Sequence, residues 1–118
     1  MSVSVNPQEV KVTARNQLVQ IVQAMLNNQC TFFEGAKTVF ELRSQIGGVS
    51  ESDPDFNAFV AIYSETDHLP YEAQRHLWSP DALAKLKPEY EKTELWAASF
   101  APEACENLLK RFGGKGVT

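Results

Sequence analysis

The stretch DPDFNAFVAIYSETDHLP, residues 53–70, carries a complete signal for the start, body and end of one helix. Asp53 can accept hydrogen bonds from the free N–H groups of a first helical turn, and Pro54 suits that turn because it has no N–H to lose. The apolar residues that follow repeat at the spacing of one helix face: Phe56, Phe59, Val60 and Tyr63. Pro70 disfavours helical geometry in the residue before it, so the helix should end around residues 66–68. This stretch predicts an amphipathic helix followed by a turn.

Similar start signals lie on both sides of this stretch. Asn6-Pro7 and Ser79-Pro80 again pair a capping side chain with a proline, and Thr31 followed by Glu34 forms a capping box. Apolar residues recur after Asn6-Pro7 at helical spacing, which predicts a helix of about 20 residues. Gly47-Gly48 should end the second helix, because glycine reaches the left-handed conformation without steric cost. We expect these first two helices to form an antiparallel hairpin.

The C-terminal part of the chain predicts a long helix. Apolar residues keep helical spacing from Tyr90 to Phe112, and the pattern places Trp96 in the core. Pro88 either begins this helix or kinks a continuous one, because proline removes a backbone hydrogen bond and clashes with the preceding turn. For the same reason, Pro102 should bend the helix near residues 98–101.

The chain as a whole has the pattern of an all-α protein. No window alternates apolar and polar residues between hairpin-turn signals, which argues against a β-sheet. The 118 residues, 43% of them apolar, are enough for one core. We expect a compact single-domain helical bundle of roughly four to six helices over residues 1–118, with a long C-terminal helix. Residues 1–5 and 114–118 should be frayed ends.

Acidic charge is concentrated in the middle of the chain. Residues 44–74 contain no Lys or Arg and carry −6, while the rest of the chain carries +2 within a total of −4. This balance argues against nucleic-acid binding, which needs basic residues to neutralise phosphates. The acids form either a solubilising face or a surface complementary to a basic protein. They are Glu51, Asp53, Asp55, Glu65, Asp67 and Glu72.

The chain lacks signals for export, membrane insertion or metal coordination. No window approaches the ~18 apolar residues of a membrane helix, and residues 1–6 lack the features of a signal peptide. We therefore expect a cytoplasmic protein that contacts no membrane. Cys30 and Cys105 have no CxxC pairing, so we expect small buried side chains rather than a disulfide or a zinc site. No cofactor is expected.

The segment from Glu65 to His68 is the strongest candidate for chemistry. On a helix, Glu65 would lie three residues from His68 and could orient its imidazole for acid–base or metal chemistry. In the structural alternative, Thr66 or Asp67 makes a turn and His68 interacts with the helix C-terminus. Because further metal ligands and any catalytic motif are missing, we expect a protein without enzymatic activity.

Two large side chains follow the acidic window. Arg75 should pair with a carboxylate such as Glu72 or Asp67. Trp78 stands immediately before the cap residue Ser79, and it either packs in the core or, half exposed, anchors an interface.

Several short motifs together resemble a known family. They are FEGA at 33–36, DPD at 53–55, FVAI at 59–62, SETDHLP at 64–70 and WSPDAL at 78–83, with Arg75 and Cys105. In combination they resemble a family of small uncharacterised bacterial cytoplasmic proteins. The resemblance implies a bacterial, cytoplasmic origin and adds no catalytic role, since the family has no established activity. In size and acidity the chain is also similar to immunity proteins that neutralise bacterial toxins.

These observations predict a non-enzymatic protein-interaction module with an acidic face. Its partner would be a basic protein, as for an immunity protein. The alternative is a small metal-binding or hydrolytic protein that uses Glu65, Asp67 and His68. The sequence leaves open whether the protein forms a homo-oligomer. The residues predicted to contact the partner are Asp53, Asp55, Glu65, Asp67, His68, Glu72, Arg75 and Trp78.

Overall fold

A computed structural model describes residues 6–113, and every regular element in this range is a helix. The helices are α1 (Pro7–Leu26), α2 (Phe32–Ile46), α3 (Pro54–Glu65), a 3-10 helix (Glu72–Leu77), α4 (Pro80–Ala98) and α5 (Ala101–Gly113). The predicted all-α class is therefore confirmed. Each of these helices is too short or too polar to span a lipid bilayer. The predicted fraying of residues 1–5 and 114–118 lies outside the described residues.

The helix caps predicted from the sequence are present. Each capping side chain accepts a hydrogen bond from an N–H group of the first turn that has no partner within the helix. α3 ends at Glu65 with Thr66 as its C-cap, next to the predicted end. The cap bonds run from Gln8 N–H to Asn6 Oδ1 (2.8 Å), Glu34 N–H to Thr31 Oγ1 (3.0 Å), Asp55 N–H to Asp53 Oδ1 (3.0 Å) and Ala82 N–H to Ser79 Oγ (3.1 Å).

α1, α2, α3 and α5 share one apolar core. Cys105 lies in this core, and burial raises the pKa of its thiol to about 12, so it packs as an unreactive apolar side chain. Cys30 is only half buried, and both cysteines are free thiols. The most buried side chains of the core include Leu18, Val22, Val39, Phe56, Phe59, Ile62, Ala101 and Leu108.

α1 and α2 approach each other closely at Gly35. A Cβ atom at this position would lie 2.3 Å from Sδ and 2.8 Å from Cγ of Met25, whose side chain is buried. These distances are too short for van der Waals contact, so Met25 packs on α2 only because Gly35 has no side chain. The present position of the Met25 side chain on α2 thus depends on a glycine inside a helix.

α4 packs less deeply than the other long helices. Ala97 is its only fully buried residue, and Pro88 lies inside the helix without ending it. Trp96 is 40% exposed, so its predicted place in the core is wrong. Neighbouring residues point about 100° apart around a helix axis, and Ala97 rather than Trp96 faces the core.

The bend predicted near residues 98–101 is a complete break between α4 and α5. Ser99 N–H donates to Trp96 O and Phe100 N–H donates to Ala97 O, both at 3.1 Å, so the last turn of α4 tightens to three-residue spacing. Pro102 has no N–H with which to continue the hydrogen-bond ladder. The break allows α5 to enter the core while α4 lies at its edge.

Candidate functional site

The chain turns sharply after α3, over residues 66–70, which we call the corner. The Thr66 hydroxyl is buried and donates to Ile62 O at 2.6 Å, and Leu69 N–H donates to Thr66 O at 3.0 Å. Leu69 and Pro70 are also buried, so packing holds the corner in place. The structural interpretation of Thr66 as a turn residue is therefore correct.

His68 lies beyond the end of α3 and contacts α4. Its Nε2 contacts Glu89 Oε2, and its Nδ1 lies 3.9 Å from Asp67 Oδ1. The sequence pattern assigned Glu65 as the carboxylate that orients this imidazole, but helical spacing ends at Thr66. The carboxylate that contacts His68 closely therefore comes from a residue 21 positions away in the sequence.

A surface groove lies between the corner and α4. Its volume is about 340 Å³, near the lower end of the range for ligand sites, so it suits one side chain or a small group. Thr66 forms part of its lining. The other lining residues are Glu65, His68, Glu89, Lys92, Thr93 and Trp96.

Another groove, between α1 and α2, is larger but chemically poorer. It has a volume of about 440 Å³ and contains a single carboxylate, that of Glu41. Its other lining residues are Gln17, Gln20, Ile21, Thr38, Leu42 and Gln45. The groove at the corner is the better candidate because it combines two carboxylates, a histidine, a lysine and an exposed tryptophan.

Glu94 fixes α4 against the N-terminus of α2. Its carboxylate accepts hydrogen bonds from Phe32 N–H at 3.0 Å and from Phe33 N–H at 2.7 Å. Such N–H groups have no partner within their own helix, and a negative charge there interacts favourably with the helix dipole. Tyr90 joins α4 to the corner through a further hydrogen bond, which its hydroxyl donates to Pro70 O. These contacts hold both sides of the groove at a defined separation.

Phe33 joins three parts of the chain next to the groove. Its ring stacks on Tyr71 with centroids 4.6 Å apart and meets the edge of Tyr90 at 5.4 Å. Burial raises the pKa of Tyr71 to about 12, so its hydroxyl stays neutral at physiological pH. α2, the segment after the corner and α4 therefore share one aromatic cluster.

Arg75 pairs with Glu34 of α2, not with Glu72 or Asp67 as predicted. Arg75 Nη2 lies 3.8 Å from Glu34 Oε2, and the same oxygen accepts from Glu72 N–H at 2.9 Å. The local pairing fails because Glu34 reaches the start of the 3-10 helix from another helix. Arg75 also stacks over the Tyr90 ring at 4.9 Å, which indicates a structural role.

Asp53 and Asp55, predicted to contact a partner, form ion pairs within the chain. Arg111 Nη2 lies 2.9 Å from Asp53 Oδ2, and Arg111 Nη1 lies 3.2 Å from Asp55 Oδ2. Asn107 also donates to Asp55 Oδ1 at 3.0 Å. Arg111 cancels one of the two negative charges, and both carboxylates are largely covered where they join α3 to α5, so they are poorly placed to contact a partner.

Glu72 and Trp78 lie outside the groove. The Glu72 side chain is exposed on the 3-10 helix. Trp78 ends that helix and is 42% exposed, so it is half exposed rather than part of the core. Its role as an interface anchor stays a prediction. Of the residues predicted to contact a partner, only Glu65 and His68 line the groove, and Asp67 lies beside His68.

We predict that Arg111→Gln lowers the free energy of unfolding at neutral pH by about 1–2 kcal/mol. A buried hydrogen bond to a charged group contributes about 1.5–3 kcal/mol, and exposure of Arg111 to solvent reduces that value. The hydrogen bond from Arg111 lowers the pKa of Asp53. The stabilisation should therefore be complete above the ordinary aspartate pKa of about 4 and be lost as the pH falls through the lowered folded-state value.

Urea unfolding at neutral pH and at about pH 2.5 checks this prediction, with Lys110→Gln as the matched control because Lys110 is an exposed neighbour on α5. The difference between wild type and Arg111→Gln should shrink in acid. An equal difference at both pH values would contradict the assigned role of the ion pair.

Comparison with known proteins places the chain in a family. Residues 6–108 match a family described as "Protein of unknown function (DUF2489)". The chain belongs to this family. The predicted resemblance to an uncharacterised family is therefore confirmed. No curated protein and no solved structure matches the chain.

The DUF2489 match spans the whole groove, including the α4 residues that the sequence analysis missed. Those residues are Glu89, Lys92, Thr93 and Trp96. A signal was present, since spacings of three, four and seven residues place them on one side of a helix. The apolar pattern of α4 instead assigned Trp96 to the core and gave no functional role to Glu89, Lys92 and Thr93.

The groove has no set of metal ligands. Among residues 6–113, no three or more His, Cys, Asp or Glu side chains are grouped so that they could hold a metal ion. Glu65 and Glu89 can accept hydrogen bonds, Lys92 can donate them, and Trp96 offers an aromatic surface. This arrangement favours recognition of a polar or charged group.

Proposed function

We propose that this protein is a non-enzymatic interaction module that binds a basic segment of a protein partner in the groove between the corner and α4. The observation that supports this most directly is the exposed Trp96 beside the carboxylates of Glu65 and Glu89 in one groove. The proposal narrows the predicted acidic face to this groove, because the carboxylates of Asp53 and Asp55 are largely covered and are paired with Arg111.

Electrostatics supports this proposal because the acidic residues at the groove have carboxylates that are exposed to solvent. Glu65 makes no ion pair within residues 6–113, and Asp67 is exposed with only a distant contact to His68. Clustered exposed carboxylates attract a basic segment over distance and disfavour acidic competitors. Association with a basic partner should therefore be faster at low salt than at high salt.

Trp96 can supply binding free energy that exposed ion pairs alone do not provide. Exposed ion pairs contribute only about 0.2–1 kcal/mol each, which is too little for stable binding by Glu65 and Glu89 alone. Tryptophan is enriched among the residues that dominate binding energy, because it buries a large surface at low entropic cost. Trp96 is partly exposed within the groove, so a partner would bury apolar surface as well as charge.

The test is a calorimetric titration of the protein with hexalysine and hexaarginine peptides. Glu65→Lys and Glu89→Lys should each weaken binding by about fivefold or more, because each replaces an attraction with a repulsion. Glu51→Lys is the matched control, since Glu51 belongs to the acidic window but lies outside the groove. If all three variants weaken binding equally, only net charge matters and the groove assignment fails.

A narrower form of the proposal is a cytoplasmic immunity protein of bacteria. Its support is the acidic composition, the small size and the resemblance of the motifs to small bacterial proteins. A neighbouring gene that encodes a toxin with a basic active-site surface would identify the partner. That toxin should be inhibited by the wild-type chain and less by Glu65→Lys.

The metal-binding or hydrolytic alternative stays a prediction without a ligand set in residues 6–113. Elemental analysis of the purified protein tests it. A stoichiometric metal that is lost in His68→Ala would replace the binding proposal.

A further inference from the structure

We infer that the group bound in the groove is an arginine side chain of the partner, with its guanidinium on the Trp96 ring and hydrogen-bonded to Glu65 and Glu89. This inference rests on the proposed function and names the chemistry of the bound group. It follows from the acceptors in the groove, from the open aromatic surface and from the size of the site.

The acceptors in the groove fit a donor with several N–H groups. Glu89 uses Oε2 for His68, which leaves Oε1 without a partner among the described residues, and Glu65 has both oxygens free in the same range. The two carboxylates come from different helices, so a ligand must donate in two directions. A guanidinium has five N–H donors in one plane, whereas an ammonium is a compact charge with three.

The aromatic surface of Trp96 also fits a planar cation. Elsewhere in the fold the chain places its own cations over aromatic rings, with Arg75 4.9 Å from Tyr90 and Arg111 5.6 Å from Phe56. The Trp96 and Phe100 rings make a T-shaped contact with centroids 5.0 Å apart, and within residues 6–113 no cation lies over the Trp96 ring. Tryptophan is the strongest cation–π partner, and arginine stacks on it more often than lysine does.

Lys92 limits how a cation can bind. It lines the groove four residues before Trp96 and makes no ion pair within 4 Å among the described residues. Its charge disfavours a second compact ammonium more than a delocalised guanidinium that can lie flat on the indole. Removal of this charge should therefore strengthen binding of either cation and reduce the preference for arginine.

The test uses three blocked tripeptides, acetyl-Gly-X-Gly-amide, in which X is arginine, lysine or citrulline. Two-dimensional NMR follows the indole N–H signals of the two tryptophans, and Trp78, outside the groove, is the internal control. The arginine peptide should shift the Trp96 signal and bind about fivefold or more tightly than the lysine peptide, and citrulline should not bind. Equal affinities for arginine and lysine would overturn the inference.

Two variants separate this inference from the proposed function. Trp96→Leu should abolish the preference for arginine while residual hexalysine binding persists, and Lys92→Gln should strengthen binding of the lysine peptide about two- to fivefold. If hexalysine and hexaarginine bind wild type equally and Trp96→Leu changes neither, the guanidinium assignment fails, and the binding function stands only if Glu65→Lys and Glu89→Lys still weaken binding more than Glu51→Lys does. If neither hexapeptide binds, the proposed function fails.

Discussion

Phe33→Ala is expected to lower the free energy of unfolding by about 3–5 kcal/mol, the range for truncation of a buried phenylalanine. Phe33 is 2% exposed and makes ring contacts with both Tyr71 and Tyr90. Its removal leaves a cavity at the point where α2, the segment after the corner and α4 meet. The loss therefore includes the aromatic contacts as well as the buried surface.

Urea unfolding followed by circular dichroism measures this loss. Phe32→Ala is the matched control, because Phe32 is the same residue type in the same turn of α2 but is only half buried. We expect the control to cost about 1–2 kcal/mol, in proportion to the surface it buries. Equal losses for the two variants would show that the aromatic cluster adds nothing to local packing.

Phe33→Ala should also weaken peptide binding in the groove. The aromatic cluster holds Tyr90, and Tyr90 ties α4 to the corner through Pro70 O. Because the groove lies between those two elements, greater freedom of α4 leaves Glu89 and Trp96 less well placed against Glu65. Phe32→Ala, which leaves this cluster intact, should bind hexaarginine almost as tightly as wild type does.

Glu94→Ala is expected to lower the free energy of unfolding by about 2–3 kcal/mol. Two hydrogen bonds to a charged acceptor are lost, each worth up to about 1.5–3 kcal/mol, and their contributions overlap because they share one carboxylate. Phe32 and Phe33 would then present N–H groups at the start of α2 without a protein acceptor. α4, with Ala97 as its only fully buried residue, would lose its main polar contact with α2.

Amide hydrogen exchange makes this prediction specific, since Phe32 and Phe33 N–H should lose protection while the core of α1 keeps it. Glu91→Gln is the matched control, because Glu91 is exposed on α4 and lies outside these contacts, so its effect should stay within about 0.5 kcal/mol. If Glu94→Ala unfolds at the same urea concentration as Glu91→Gln, the assigned capping role is wrong.

Most helix boundaries followed from local chemistry. The caps at Asn6, Thr31, Asp53 and Ser79 form as predicted because a helix start depends on the few residues around it. The break before Pro102 shows the limit of this reasoning. A proline signals interrupted hydrogen bonding, but packing of α4 and α5 decides whether the helix bends or ends.

The site was only partly predictable for a related reason. Spacing along the chain identified Glu65 and His68, which line the groove, but assigned the acids Asp53 and Asp55 to a partner surface. Arg111, which pairs with both acids, is more than 50 positions away in the sequence. A stretch of sequence that lacks basic residues can therefore still lie next to one in the folded chain. Trp96 was placed in the core because amphipathic spacing shows a stripe of apolar residues without showing which helix covers it.

The motif at residues 33–36 also shows which features local sequence predicts and which depend on tertiary packing. The capping box of Thr31 and Glu34 predicted a helix start here, but the roles of the residues in the motif depend on distant contacts. Phe33 contacts Tyr71, Glu34 pairs with Arg75, and Gly35 lies against Met25. These contacts join separate parts of the chain that meet only when it is folded.

The amino-acid sequence by itself determined the helical class, the starts of the helices and the turn after α3, because caps, prolines and apolar spacing act within a few residues. Only the tertiary structure decided which charges stay free and which side chains form the groove. Arg111 reaches Asp53 and Asp55, and Glu89 reaches His68, because helix packing brings together residues that no local spacing connects. Ion pairs and grooves depend on distances in space, and those are set by how the helices pack.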